Sequence, residues 1–286
     1  MPAKVYMLTE TSEFMMSFVI VTEKNNVIVI DGGRREDMPL LKKYVGGRKI
    51  SAWILTHAHN DHIDGFVHEM EMNACADFEI EKIYYNFPDY DLLKNETGMP
   101  DKEYFLSELN DILPAFNAQK HKFADKSVIA KKGDVVLIDG LKIEFLYSYE
   151  GGMYNNLMND SSLVFKVSSQ KRSMLFLGDL GPDGGDVLMR ESGEKLKSDY
   201  CQMAHHGHMN VSMEVYAEIM PEACFWCAPI WLYEEPIVPS YLADGEALKK
   251  AGRIRMYGTA LTRKWMDLLG VKKHYVTGYG TQEVDL

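Results

Sequence analysis

Six of the nine histidines in this chain fall in two short clusters. The first reads Thr56-His57-Ala58-His59-Asn60-Asp61-His62-Ile63-Asp64-Gly65, directly after an apolar run. Side chains alternate along an extended strand, so His57 and His59 face one side if that geometry persists to residue 59. A turn after them lets Asp61 and His62 face a second position nearby. Imidazoles and a carboxylate at this density suit borderline divalent metals such as zinc. The second cluster is Ala204-His205-His206-Gly207-His208, following the strand-like Tyr200-Cys-Gln-Met-Ala204. Between the two, Phe176-Leu177-Gly178-Asp179 presents a carboxylate at a strand end. A lone Gly-Asp carries little information, and its weight comes from the order of the three motifs.

Elements must bring these segments together. Residues 18–22 and 26–30 read as a β-hairpin across Glu23-Lys24-Asn25, and Asp31-Gly32-Gly33 ends the second strand. A short helix follows at 38–44, closed by Gly46-Gly47, then a buried strand at 49–56 and a helix at 63–72. Residues 86–125 differ in character and are expected to form a helical insertion near the site, with a helix at 101–113 ended by Pro114. Strands are expected at 134–138, 142–146, 163–167, 173–177 and 225–230, and helices at 188–196 and 213–220. The tail predicts a helix at 242–251 and a strand at 254–257. No repeat and no Pro-, Gly- or Ser-rich linker divides the chain, so residues 1–286 are expected to form one α/β domain of two sheets layered with helices.

The chain has 286 residues, 46% hydrophobic and 26% charged, which excludes disordered, collagen-like and coiled-coil classes. Four cysteines make no disulfide framework. Net charge is −11, so phosphate neutralisation favours no long nucleic acid as partner. No apolar run is long enough to cross a bilayer, and the first ten residues lack a secretory core. The expectation is a cytoplasmic protein without membrane association, its oligomeric state open.

Asp31-Gly32-Gly33, His57-Ala-His59-Asn-Asp61-His62, Gly178-Asp179 and His205-His206-Gly207, in that order, resemble the metallo-β-lactamase superfamily of metal-dependent hydrolases. Asn159-Asp-Ser-Ser-Leu-Val-Phe165 before Leu175-Phe-Leu-Gly-Asp179 is similar to the subgroup that includes the hydrolase domain of the competence protein ComEC. The resemblance implies a four-layer αββα sandwich with mixed sheets and a binuclear centre. His57 and His59 would hold the first metal, Asp61 and His62 the second, and Asp179 would bridge. One of His205 and His206 would complete the second site, with His205 preferred. Asp31 corresponds to a buried structural aspartate. The wider pattern supplies a third histidine to the first metal just before the Gly-Asp strand. Here that stretch reads Met158-Asn159-Asp160-Ser161-Ser162, and Asn159 or Asp160 is expected to supply an oxygen instead. Oxygen would shift preference from zinc towards harder ions such as manganese, with iron a further option, or would equally leave the first site weak.

The implied chemistry is hydrolysis by a metal-bridging hydroxide. Two divalent ions, zinc first, against Asp61, Asp179 and one hydroxide leave about one net positive charge, which favours a small anionic substrate. Asp61, His206 and His208 are the candidate catalytic residues, the two histidines as proton donors, although His208 reads equally as a plain loop residue. The leading reading is a small phosphodiester or other phosphoester as substrate. Carboxylic ester, thioester or lactone hydrolysis on the same centre is the alternative, and a degenerate metal-binding scaffold the third. Cys224-Phe-Trp-Cys227 is read as buried thiols, and Tyr84, Tyr85, Tyr90, Tyr149 and Tyr154 as candidates to line a pocket. His68, His121 and His274 have no partners in sequence.

Overall fold

The computed structural model describes residues 2–95, 102–152, 154–236 and 258–286. In chain order its strands are β1 (Lys4–Met7), β2 (Ser17–Val21), β3 (Val27–Asp31), β4 (Ile50–Ile54), β5 (Ile83–Tyr85), β6 (Ser127–Ile129), β7 (Val135–Ile138), β8 (Leu141–Tyr147), β9 (Val164–Ser168), β10 (Ser173–Phe176), β11 (Tyr200–Gln202), β12 (Ala223–Trp226), β13 (Lys273–Val276) and β14 (Gln282–Asp285). They form two seven-stranded mixed sheets, ordered β14-β1-β2-β3-β4-β5-β6 and β13-β12-β11-β10-β9-β8-β7.

Val27-Ile28-Val29-Ile30 shows why the strands read as unbroken apolar runs. Ile28 and Ile30 enter the core between the sheets, beside Phe18, Phe165 and Phe176, whereas Val27 and Val29 enter the core under the flanking helices. Both faces of the sheet are covered, so neither can be polar. The second sheet repeats the pattern, with Phe225 facing inward and Cys224 and Trp226 outward.

The helices are α1 (Met38–Val45), α2 (Asn60–Asn73), α3 (Tyr90–Lys94), α4 (Lys102–Leu109), α5 (Leu113–Gln119), α6 (Leu157–Asp160), α7 (Pro182–Ser192), α8 (Met213–Ile219), α9 (Ile230–Tyr233) and α10 (Thr259–Leu268). Side chains of α1, α2, α4 and α5 pack on the outer face of the first sheet, and those of α7, α8 and α10 on that of the second. The expected layering of two mixed sheets between helices is therefore present.

Local expectations need four corrections. Pro114 does not end a helix; it opens α5, where a missing N–H costs nothing in the first turn. The helix expected from Leu188 begins at Pro182, and Gly184 and Gly185 inside it give no apolar signal. Ile230 belongs to α9 rather than to a strand. α2 begins at Asn60, so Asp61 and His62 sit in its first turn. The helix expected at 242–251 and the strand at 254–257 lie outside the described residues. Among the described residues no helix is long and apolar enough to cross a membrane. The four cysteines are buried and unpaired, and burial pushes the Cys224 thiol up to about 12. His274 accepts the Trp226 indole N–H at 3.1 Å.

Candidate metal centre

The first histidine cluster begins beyond the end of β4 at Ile54, after Leu55 and Thr56 have made their last backbone bonds to Tyr84 and Leu163, so strand alternation does not carry it. It is pinned by Asp31 instead. The Asp31 carboxylate accepts the Thr56 N–H, the Thr56 hydroxyl and His62 Nδ1, each at 2.7 Å. Asp31 is fully buried, and burial raises its pKa against the pull of His62 and these hydrogen bonds. It thus steadies the ligand loop and turns His62 Nε2 away from itself, towards Asp179 Oδ1 at 3.2 Å. His57 Nε2 and His59 Nδ1 still meet at 3.1 Å.

Asp179 is placed by its neighbours. Gln202 Oε1 accepts the N–H groups of Leu177 (2.8 Å) and Gly178 (2.9 Å), while its Nε2 donates to Gly178 O and Met203 O. Ser162 Oγ accepts the Asp179 N–H at 3.0 Å. Gly178 has φ +56°, and a Cβ there would lie 2.9 Å from Ser162 and 3.2 Å from Thr56. Only glycine tolerates both the left-handed backbone and the close approach.

The double-histidine turn is strained. His205 and His206 have φ of 49° and 55°, and Gly207 continues the left-handed run over the Trp226 ring, which a Cβ would meet at 2.5 Å. Such conformations in residues other than glycine persist where the surroundings over-determine them. Here the His205 N–H donates to Gly178 O at 3.0 Å, and His206 Nδ1 donates to Cys227 O at 2.8 Å. His206 Nε2 then lies 3.1 Å from Asp61 Oδ2 and 3.5 Å from Asp179 Oδ2.

Two donor groups result, each with its atoms within 4.8 Å of one another: Asp61, His62, Asp179 and His206, and His57, His59 and Asp179. Asp179 belongs to both. His206 rather than His205 joins Asp61 and His62, because the backbone at 205–206 turns the two rings apart. His206 is 1% exposed and is not among the residues that line the cleft. His208 is buried against His205, ring centroids 4.1 Å apart, and does not line the cleft. Asp160 belongs to neither group. Its Oδ1 accepts the N–H groups of Gly181 and Gly184, each at 2.9 Å, at the start of α7, and burial raises its pKa to about 6. Asn159 lines the cleft with its Nδ2 3.3 Å from His205 Nε2.

Burial opposes the charge on Asp61 and Asp179, yet His62 and His206 hold both carboxylates well below their ordinary range. Those carboxylates in turn lift His62 and hold His206 at about 9 against burial. His62 Nε2, Asp179 Oδ1 and Asn159 Oδ1 are buried without any hydrogen-bond partner. Buried imidazoles and carboxylates with unpaired atoms aimed at one another are costly unless a cation satisfies them, so the donor set fits divalent metal. Each ring's second nitrogen is tied down: His62 to Asp31, His206 to Cys227 O, and His57 to Thr56 Oγ1 at 3.2 Å. His59 Nε2 lies 2.8 Å from Glu108 Oε2. Such partners fix which nitrogen faces a metal.

Glu108 was not foreseen. It comes from α4, within the residues expected to form a helical insertion, and with Tyr104 and Asp111 it forms one wall of a cleft of about 350 Å³. Phe14, Arg34, Asn156 and Met209 line the remainder. The only hint in sequence is the near-helical spacing of Tyr104, Glu108 and Asp111. None of the five tyrosines proposed as a pocket lining reaches this cleft. Tyr84 lies between the sheets, and Tyr85 and Tyr90 line a separate depression beside Phe87 and Phe116.

Residues 14–92 match the sequence profile of the Metallo-beta-lactamase superfamily. Among solved structures, the metallo-beta-lactamase fold protein YhfI from Bacillus subtilis aligns over 99% of this chain and 100% of its own, at 14% identity and a TM-score of 0.55. Tm1679, described as a metal-dependent hydrolase of the beta-lactamase superfamily, aligns over 99% of both chains at 7% identity and a TM-score of 0.53. CmlA, a diiron beta-hydroxylase from Streptomyces venezuelae, aligns over all of this chain but 54% of its own, at 11% identity and a TM-score of 0.52. No curated protein matches the chain significantly in sequence. Residues 14–92 thus carry a metallo-β-lactamase superfamily domain signature, and the chain as a whole has the metallo-β-lactamase fold.

Proposed function

We propose that the protein is a binuclear metal-dependent hydrolase acting on a small phosphoester, most plainly a phosphodiester. The observation that carries this reading is the pair of donor groups joined at Asp179 and opening on one cleft. His57, His59 and Asp179 would hold the first ion, and Asp61, His62, Asp179 and His206 the second. Two divalent ions bound there supply Lewis acidity and lower the pKa of a bound water to about 7.

The chain's own residues supply the rest. Asp31, Cys227 O and Glu108 hold the imidazoles in register before substrate arrives, which keeps reorganisation small. Arg34 is the one permanent cation among the described residues that line the cleft. Its Nε is buried without a hydrogen-bond partner, and its Nη2 lies 3.5 Å from Glu13. It is placed to hold an anionic group at the cleft wall, which supports the phosphoester reading over a neutral ester. The cleft volume supports a small substrate. His205 lines the cleft, but burial lowers its pKa and keeps the ring neutral, so a cleft water is the group that would pass a proton to a leaving group. The ComEC-like motif order supports a phosphodiester, and the net charge of −11 disfavours a long nucleic acid.

Carboxylic ester, thioester and lactone hydrolysis remain the competing reading, because Glu108 and Asp111 make one wall of the cleft acidic. The fold accommodates CmlA as well as Tm1679, so it selects neither metal nor reaction. Metal analysis by ICP mass spectrometry with turnover of bis(p-nitrophenyl) phosphate and p-nitrophenyl acetate tests the proposal. About two ions per chain and chelator-sensitive cleavage of the phosphodiester are expected. Cleavage of the acetate alone would move the assignment to a carboxylic ester, and no metal uptake would sink the hydrolase reading.

A further inference from the structure

We infer that the carboxamide oxygen of Asn159 completes the first metal site in place of an imidazole, and that His205 is the positioning residue that aims it. The inference rests on the binuclear reading above. His57, His59 and Asp179 provide three donors, which with a bound water make the four that zinc takes, whereas a harder ion such as Mn²⁺ takes up to about six and has room for a further oxygen. No histidine lies between His121 and His205 in the sequence, so a further protein donor from the loop before β9 would be an oxygen rather than an imidazole.

The loop before β9 offers few choices. Asp160 is committed to Gly181 and Gly184. Ser161 Oγ donates to Met158 O at 2.7 Å, and Ser162 Oγ accepts from Asp179. Two carboxamide oxygens in this cleft, Asn156 Oδ1 and Asn159 Oδ1, are buried without a partner; Asn159 is the one 2% exposed and held against His205, in the same cleft as His59 and Asp179.

The hydrogen bonds determine which end of the amide is free. His205 Nδ1 lies 3.3 Å from Met209 O, and a carbonyl only accepts, so Nδ1 carries the proton. In a neutral ring Nε2 is then an acceptor, and the Asn159 group facing it at 3.3 Å must be the NH₂. Oδ1 is left turned away from His205, buried and without a proton donor. The left-handed turn at His205 and His206 thus serves both positions: His206 is a donor to the second, and His205 orients a donor to the first.

A neutral oxygen in place of an imidazole makes the two positions unequal. The second has two carboxylates and two imidazoles; the first shares one carboxylate and adds two imidazoles and an amide. The second ion site therefore fills first, and the first favours harder ions such as Mn²⁺.

The test is titration of chelator-stripped full-length protein with Mn²⁺ and, separately, Co²⁺, followed by calorimetry and by visible absorption of the cobalt form. Wild type is expected to bind one tight and one weaker ion. Asn159→Asp, which keeps the shape and adds charge, should tighten the weaker Mn²⁺ by about tenfold, and Asn159→Ala should weaken it by about tenfold or more. His205→Ala should weaken the same ion and leave the tight one unchanged. Asn159→His should change the cobalt spectrum of the weaker site alone. Two ions whose affinities and spectra ignore residue 159 overturn this inference and leave the binuclear reading standing. A single ion bound by wild type at saturation overturns the binuclear reading itself.

Discussion

Around His206 every donor is buried: Asp61 is 7% exposed, Asp179 and His206 1%, and His62 fully enclosed. Of the donors around His59 only that ring is partly exposed, His57 being fully buried, and its nearest support, Glu108, comes from α4 rather than from the sheets. The first group is rich in negative charge and anchored to the ends of β3 and β12 through Asp31 and Cys227 O. The second is poorer in charge and depends on the 102–119 helices and the Asn159 loop. One position is thus built like a structural anchor and the other like an exchangeable working site, although both share Asp179. Burial with two carboxylates raises affinity for a cation, and exposure permits exchange with solvent and substrate.

The largest effect should come from removing what the two positions share. Asp179→Ala is expected to eliminate both ions and to lower turnover by about 10³-fold or more, read by metal analysis and phosphodiesterase assay; retained metal and activity would break the comparison at its root. Next, His206→Ala should remove the tight ion while His57→Ala removes only the weaker one. If both variants lose the same ion, the positions are not distinct.

A pH titration sharpens the contrast further. His206 in the metal-free protein holds its proton to about pH 9, and a protonated imidazole cannot ligate. Tight-site binding must displace that proton and the one the carboxylates hold on His62, so apparent affinity should climb with pH from neutrality to at least about 9, by about tenfold per pH unit for each proton displaced. A pH-independent tight site would contradict it.

Glu108→Gln should weaken the first ion by roughly 10-fold to 100-fold and spare the second. The smallest effect on metal is expected for Asp160→Asn, which should cost about 1–2 kcal/mol of stability through the start of α7 and leave ion stoichiometry unchanged; loss of an ion there would return Asp160 to the donor set.

Much of the site is legible in the chain because its donors are concentrated. His57, His59, Asp61 and His62 lie within six residues, and Gly178-Asp179 and His205-His206 follow apolar runs whose type betrays buried strands. The choice between His205 and His206 was not legible. Adjacent residues differ in which way they face only through backbone dihedrals, and the left-handed turn at 205–206 is imposed by Gly178 O, Cys227 O and Trp226 from elsewhere in the fold. Asp160 stands outside both donor groups for a related reason: a carboxylate between Asn and Ser reads as a donor, and the helix start beside it that takes up its Oδ1 is not visible in local spacing. Gln202 shows the converse, a polar residue inside a strand whose role in holding Asp179 appears only once β10 and β11 are paired.

By itself the sequence determined the layers, because sheets covered on both faces require unbroken apolar strands, and it determined the metal-binding character, because imidazole and carboxylate chemistry is a property of residue type. The tertiary structure alone decided which nitrogen of each ring is free, which of two neighbouring histidines joins which group, and that Glu108 and Arg34 belong to the cleft. Those outcomes depend on hydrogen bonds and packing between segments tens of residues apart, and local spacing carries no record of them.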